Sequence, residues 1–136
     1  RLTIIQGLAD GTVNLIATDH APHTPEEKAK DFSQAPSGIL GLETALALGI
    51  TYLVEPGHLS LGTLLEKMST YPARFYGLQG GSLRPGAPAD LVLFHPKERW
   101  TVEGFASKST NSPYLHKTLT GRVRATICRG KVAFQL

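Results

Sequence analysis

The sequence predicts an α/β segment followed by a small all-β element, with the change of character near Gly80. Before this point, an apolar run typical of a strand alternates with amphipathic patterns typical of helices. After it, short apolar and β-branched runs are separated by Gly, Pro, Ser and Asn. With 136 residues, 41% of them hydrophobic, the chain has enough apolar material to bury a core.

The first elements lead into a long polar loop. Residues 2–8 present one apolar helical face, and Gly11 is suited to end that helix. Residues 13–18 are apolar and partly β-branched, which predicts a short buried strand. Residues 19–38 contain three prolines and only one short segment able to form a helix, residues 26–30. A loop of this length inside a compact domain is usually functional.

Three more helical segments follow the loop. Residues 42–54 are helical in composition. Ser60 is a suitable N-cap for a helix over residues 61–68, where leucines and a methionine recur at helical spacing. Pro72 fits the first turn of a further short helix over residues 73–76.

The all-β element is predicted from four short runs and one tight turn. The runs cover residues 91–94, 100–102, 123–128 and 131–134. Arg129-Gly130 lies between the last two runs and predicts a hairpin turn. Cys128 ends an apolar run, so we expect a buried thiol rather than a nucleophile. Because it is the only cysteine, a disulfide within the chain is excluded.

Charge and hydropathy exclude several classes of protein. The formal net charge is +3, and residues 97–136 carry eight basic side chains against two acidic ones. This excess comes without a lysine run, zinc-finger spacing or an aromatic-rich binding motif, so we expect a solvated sheet face and no nucleic-acid partner. No apolar run approaches the roughly 20 residues that span a bilayer, and no signal peptide is evident. We therefore expect a soluble, cytoplasmic protein without a membrane partner.

One carboxylate and two imidazoles follow the predicted strand directly, within residues 18–23. At the carboxyl end of a barrel strand, Asp19 could ligate a metal and accept a proton from metal-bound water. His23, placed by the stiff turn at Pro22, could bind an anionic substrate. In the alternative interpretation, Asp19 caps the following turn and the histidines are ordinary loop residues. Composition and spacing leave both interpretations open.

The same residues resemble the class I dihydroorotases, which belong to the cyclic amidohydrolases of the amidohydrolase superfamily. Three blocks carry the resemblance from one end of the chain to the other: residues 18–23 with 37–38 and 41–44, residues 81–93, and residues 108–114 with 121–123 and 130–132. The first and third blocks are more particular to dihydroorotases, whereas the second is common to many amidohydrolases.

The resemblance implies a fold and a reaction. Residues 1–80 would form the C-terminal segment of a metal-dependent TIM-barrel (amidohydrolase) domain, with its last strand, active-site loop and helices. Residues 81–136 would form the C-terminal part of a small β-sandwich domain. The implied reaction is the reversible, zinc-dependent cyclisation of N-carbamoyl-L-aspartate to (S)-dihydroorotate in de novo pyrimidine (UMP) biosynthesis. The implied protein is a homodimer, with aspartate transcarbamoylase as a further partner.

The resemblance also implies roles for individual residues. In the family, the aspartate after the last strand contacts the zinc centre and shuttles a proton, and this role falls on Asp19. The histidine of the Ala-Pro-His stretch binds the substrate's carboxylate, and this role falls on His23. Backbone groups of Ser37 and Gly38 are expected to hydrogen-bond the pyrimidine ring, while His20 is expected to pack outside the set of metal ligands. Two zinc ions are expected in the full-length protein.

Two alternatives stay open. The first is another cyclic-amide hydrolase, allantoinase or dihydropyrimidinase, although His23 and the Asn111-Ser112-Pro113 stretch favour dihydroorotase. The second is a non-catalytic dihydroorotase-like subunit that scaffolds aspartate transcarbamoylase, although the presence of Asp19 and His23 argues against it.

We predict that the 136-residue chain alone is inactive and binds zinc weakly. Its only methionine is Met68, and the family's His-x-His pair, further histidines and substrate-binding arginine have no counterpart in it, so we expect part of a longer protein. A complete barrel typically takes about 250 residues, and zinc usually needs three or four protein ligands. A dihydroorotase assay and a zinc titration of the purified chain test this, and measurable turnover would contradict it.

Overall fold

The structure is a computed structural model that describes residues 1–136. It contains five short helices: α1 (Leu2–Asp10), α2 (Pro25–Lys28), α3 (Ala45–Gly49), α4 (Leu61–Leu65) and α5 (Tyr71–Phe75). Two π-helical segments, Ile50–Val54 and Glu66–Thr70, continue α3 and α4. A sheet follows, formed by β1 (Leu91–Thr101), β2 (Thr118–Cys128) and β3 (Lys131–Gln135). None of the helices combines the length and the apolar character needed to cross a membrane.

The helical rod that begins with α4 starts where the sequence predicts. The Ser60 hydroxyl accepts a hydrogen bond from the Thr63 N–H at 3.0 Å, which satisfies a backbone donor left free at the helix start. The sequence predicts two separate helices here, but the π-helical segment joins α4 to α5. The Tyr71 N–H donates to the Glu66 carbonyl across this wider turn. Pro72, which has no N–H to donate, lies in the first turn of α5 as predicted.

The strand predicted over residues 13–18 does not form. No other segment pairs with these residues in a β-ladder. Instead, the Ile16 N–H donates to the Lys67 carbonyl at 3.1 Å, and the buried Lys67 ammonium donates to the Val13 carbonyl at 2.6 Å. An apolar run favours burial, but a strand also requires a neighbouring strand for its hydrogen bonds, and local sequence does not supply one.

The sheet has the order β1-β2-β3, and both pairs are antiparallel. The runs predicted at 91–94 and 100–102 merge into β1, whose register against β2 is interrupted twice by irregularities. The turn between β2 and β3 is the predicted hairpin, with φ of 49° at Arg129 and 77° at Gly130, as a type I′ turn requires. Cys128 is exposed rather than buried as predicted, because it ends β2 beside this turn.

The main contact between the helices and the sheet joins α3 and its π-helical continuation to β2. Ala47 of α3 is buried in a cluster with Val102 and Leu119. Ile50 is also buried and lies against Gly121 of β2. A side chain at Gly121 would overlap the Ile50 Cδ1 atom, and the φ of Gly121 is +93°. Glycine is therefore required here both by the close approach and by the backbone conformation.

We predict that Gly121→Ala destabilises the protein by about 2 kcal/mol or more. Overpacking of a core typically costs about 1–3 kcal/mol, and the left-handed φ adds strain for any residue with a Cβ. Gly130→Ala is the matched control, since its φ is also positive but no atom lies within 4 Å of the added Cβ. Urea unfolding measures both changes, and an equal loss for the two variants would contradict the packing described here.

Candidate functional site

The long polar loop closes on itself at its two ends. The Ala21 N–H donates to the Ile39 carbonyl at 2.9 Å, and the Gly41 N–H donates to His20 Nδ1 at 3.1 Å. The chain just after residue 18 therefore lies beside the chain near residue 40. The expectation that His20 lies outside the set of metal ligands stays a prediction.

His23 lies between two acceptors of its own chain. Its Nε2 atom lies 3.0 Å from the Ser37 carbonyl oxygen, which can only accept, so this ring nitrogen is the donor. Its Nδ1 atom lies 3.5 Å from the Glu27 carboxylate, one helical turn away. The side chain is only 23% exposed. A protonated ring would donate on both sides, which suits this histidine to hold negative charge.

Gly38 is packed against the chain that carries His23. A Cβ atom at Gly38 would lie 2.5 Å from the Ala21 Cβ, and the φ of Gly38 is +110°, so only glycine permits this approach. The Gly38 carbonyl accepts from Lys28 Nζ at 3.1 Å and from Asn111 Nδ2 at 3.3 Å. Its N–H donates to no group of the chain. The donor of Gly38, and not its carbonyl, is therefore free to contact another molecule.

Asp19 stands apart from these contacts. It is exposed, its carboxylate accepts no hydrogen bond within the chain, and its φ is +47°. Aspartate tolerates this left-handed conformation better than most residues, yet the conformation is uncommon and concentrates at functional sites. The structure brings no group of three His, Cys, Asp or Glu side chains together that could hold a metal ion. This chain therefore does not by itself supply the three or four ligands that a zinc ion usually needs.

The start of α2 fixes the position of Glu27. The Thr24 N–H donates to the Glu27 carboxylate at 2.9 Å, and the Glu27 N–H donates to the Thr24 hydroxyl at 3.2 Å. This reciprocal pair is a capping box, and it satisfies two free donors at the helix start. The hydrogen bond from the Thr24 N–H lowers the pKa of the Glu27 carboxyl below its ordinary value, with a smaller contribution in the same direction from His23.

Three residues that the sequence did not single out as site residues organise this region. Asn111 reaches it from the loop between β1 and β2, and Lys28 donates to the Pro36 and Gly38 carbonyls. The Glu43 carboxylate accepts from the Ala106 N–H at 2.8 Å and from the next backbone N–H at 3.2 Å. Membership in the dihydroorotase-like blocks gave a signal for Asn111, in the third block, and for Glu43, in the first, but none for Lys28.

Two cavities, of about 300 and 340 Å³, have none of the predicted site residues in their lining. The first lies between α1 and α4 and contains Lys67. The second is mostly apolar and borders Thr18 and Gly41. None of the four predicted site residues lines either cavity: Asp19, His23, Ser37 and Gly38. The contacts of the loop, and not these cavities, therefore define the candidate site.

The fold and the loop agree with a known family. The Amidohydrolase family matches residues 1–133, nearly the whole chain. The chain therefore belongs to the amidohydrolase family. Enzymes of this family are generally metal-dependent.

Within the family, the resemblance to dihydroorotases is confirmed. The dihydroorotase of Clostridioides difficile (strain 630) is 57% identical to the chain over 131 residues, which are 96% of this chain and 31% of that protein. The dihydroorotase of Lactococcus lactis subsp. lactis (strain IL1403) is 52% identical over 133 residues, which are 97% of this chain and 31% of that protein. The chain thus spans about a third of the length of these relatives.

Solved structures of hydantoinases share the fold. The L-hydantoinase (dihydropyrimidinase) from Arthrobacter aurescens is 32% identical, with a TM-score of 0.87 over 98% of this chain and 31% of that chain. The D-hydantoinase (dihydropyrimidinase) from Thermus sp. is 30% identical, with a TM-score of 0.88 and the same coverage. The α/β architecture with a small antiparallel sheet is therefore shared by this chain and the corresponding part of these hydantoinases.

We predict that the loop becomes less ordered at the start of α2 when acid protonates the Glu27 carboxylate. Its folded-state pKa is lowered, so its stabilising effect is complete above the unfolded-state pKa of about 4.3 and is lost as the pH falls through the lower folded-state value. The amide-exchange protection factor of Thr24 should fall over this range. Glu27→Gln keeps an acceptor for the capping box but cannot titrate, so its protection should not vary there; an unchanged acid response in this variant would assign the effect to another group.

Proposed function

We propose that the protein carrying this chain is a dihydroorotase, which interconverts N-carbamoyl-L-aspartate and (S)-dihydroorotate. The observation that carries the proposal is the 57% identity to a named dihydroorotase over a segment that includes the whole candidate site. In the hydrolytic direction, water adds to the ring carbonyl carbon, the carbon–nitrogen bond of the ring amide breaks, and the leaving nitrogen gains a proton. The reverse direction closes the ring and releases water.

Asp19 is proposed as the catalytic carboxylate and as one metal ligand. Its oxygens have no partner in the chain, so they are free to hold a metal and to accept the proton of the attacking water. The same carboxylate can return that proton to the leaving nitrogen. A bound zinc would supply Lewis acidity and lower the pKa of water. The left-handed backbone at Asp19 supports a functional role, because such conformations persist where the surrounding structure enforces them.

His23, Ser37 and Gly38 are proposed to bind the substrate. The substrate's carboxylate is the natural partner of the His23 ring, and it would take the place of the Ser37 carbonyl at Nε2. The Gly38 N–H, which has no partner in the chain, would then donate to a ring carbonyl. Released from His23, the backbone of Ser37 could contact the ring as well.

The remaining expectations extend this proposal. Residues 1–80 are proposed to complete a TIM barrel and residues 81–136 to belong to a β-sandwich, with the division near Gly80. Several expectations stay predictions. They are that the full protein binds two zinc ions, acts in the pyrimidine pathway in the cytoplasm, forms a homodimer and associates with aspartate transcarbamoylase. The alternative of a scaffold without activity is less well supported, since the chain retains an unpartnered Asp19 and an ordered His23.

A second candidate function is hydrolysis of hydantoins or dihydropyrimidines. It is favoured by the TM-scores of 0.87 and 0.88 with two hydantoinases. The identity to these proteins, 32% and 30%, is well below that to the dihydroorotases. Dihydroorotate carries a carboxylate that hydantoin and dihydrouracil lack, so the two candidates differ in whether His23 recognises a charge.

We predict that the full encoded protein turns over dihydroorotate, and that Asp19→Asn lowers kcat by about 10²–10⁴-fold. An amide cannot accept the proton from water, and loss of a general acid–base group typically costs this much. A substrate panel of dihydroorotate, dihydrouracil, hydantoin and allantoin measures both the activity and its specificity.

Asp31→Asn is the matched control for this prediction. Asp31 is an exposed aspartate of the same loop, and its substitution should leave kcat unchanged. Turnover of hydantoin without turnover of dihydroorotate would replace the first candidate with the second. Full activity of Asp19→Asn would remove the proposed role of that carboxylate.

A further inference from the structure

Asn111 joins the two sides of the candidate site. Its Nδ2 atom donates to the Ala21 carbonyl at 2.9 Å and to the Gly38 carbonyl at 3.3 Å. Its Oδ1 atom accepts from the His23 N–H at 3.2 Å. Its own backbone carbonyl accepts from the Leu40 N–H at 3.1 Å. One residue therefore bonds both to the stretch that carries His23 and to the stretch that carries Gly38.

The chemistry of these bonds requires an asparagine. The three backbone groups that face the side chain are two acceptors and one donor, and a primary amide offers two donors and an acceptor on one short arm. Aspartate would place an anion against two carbonyl oxygens, and alanine would leave all three groups without this partner. The side chain is half-buried, so water does not fully replace the lost bonds.

The loop that carries Asn111 is itself held in place. It leaves the sheet at Val102, which is fully buried, and the Val102 carbonyl accepts from the His116 N–H at 2.8 Å. Nearer its middle, the Glu43 carboxylate accepts from the Ala106 N–H at 2.8 Å. Asn111 therefore belongs to an anchored loop and can hold the backbone of the candidate site in a fixed position.

We propose that Asn111 is a positioning residue that sets His23 and Gly38 at the spacing the substrate requires. It contacts no reacting atom. Its amide orders the backbone at His23 and Gly38, the two residues to which substrate binding is assigned above, and in this respect the inference rests on the proposed function. The role belongs to a residue 88 positions away in sequence from His23, contributed by the loop between β1 and β2.

The test compares Asn111→Ala and Asn111→Asp with Ser112→Ala in the full encoded protein. Ser112 is the adjacent residue, and its hydroxyl accepts only from the Tyr114 N–H of its own loop, at 3.2 Å. The first measurement is amide hydrogen exchange over residues 20–24 and 37–41. Both Asn111 variants should exchange faster there, whereas Ser112→Ala should match the unsubstituted protein. Unchanged exchange in properly folded Asn111 variants would overturn the proposal.

The second measurement is steady-state kinetics with dihydroorotate. Loss of several hydrogen bonds that order the binding residues should raise KM by about tenfold, with a smaller change in kcat, because the Asp19 carboxylate is not touched. A general loss of stability would instead lower the amount of active protein and leave KM unchanged, and that result would also overturn the proposal.

The two measurements separate this proposal from the proposed function. If the unsubstituted protein does not turn over dihydroorotate, the proposed function fails, while the exchange comparison still decides whether Asn111 orders the two segments. If turnover is normal and the exchange rates of the Asn111 variants are unchanged, only the positioning role fails.

Discussion

The close contact between β2 and α3 with its π-helical continuation determines where the rest of the structure lies. At Gly121 the strand comes so near to Ile50 that no side chain fits between them. One residue earlier, the Thr120 N–H donates to the Thr51 hydroxyl at 2.9 Å. This hydrogen bond prevents β2 from sliding along its own axis, while the contact at Gly121 sets the distance between β2 and the helix. Because interiors are close-packed, a shift at this contact would displace all elements attached to the sheet.

The loop between β1 and β2 connects this contact to the candidate site. Both of its ends are anchored near the core, at Val102 and Leu119, and its middle is bound by Glu43 and by the bonds of Asn111. The sheet therefore contributes to the candidate site through the hydrogen bonds that Asn111 makes to backbone groups of the loop. A substitution in the sheet can consequently alter the site without lying near it.

Local sequence predicted the elements whose formation depends on local interactions. Ser60 begins a helix because its own hydroxyl caps it, and Arg129-Gly130 turns because of its own backbone conformation. The prediction of a strand over residues 13–18 was wrong because strand pairing depends on a partner elsewhere in the fold. The contacts of Asn111 were not predictable because they join a side chain to backbone groups distant in sequence, which leaves no periodic pattern. The length and the histidines of the loop predicted a candidate functional region, and that role stays a prediction. The closed geometry of the loop was not predictable from the sequence.

The surroundings of His23 bear on which substrate the site prefers. Its ring already has two acceptors, the Ser37 carbonyl and the Glu27 carboxylate, so a new ligand must displace one of them. A neutral amide oxygen would exchange one uncharged acceptor for another and gain little. A carboxylate would exchange the Ser37 carbonyl for a charge-assisted hydrogen bond, which is roughly twice as strong as a neutral one. Glu27 cannot easily leave, since the capping box holds it and keeps it charged at neutral pH. Under the proposed function, this arrangement would favour an anionic cyclic amide over a neutral one. Dihydroorotate is anionic through its carboxylate, which hydantoin and dihydrouracil lack.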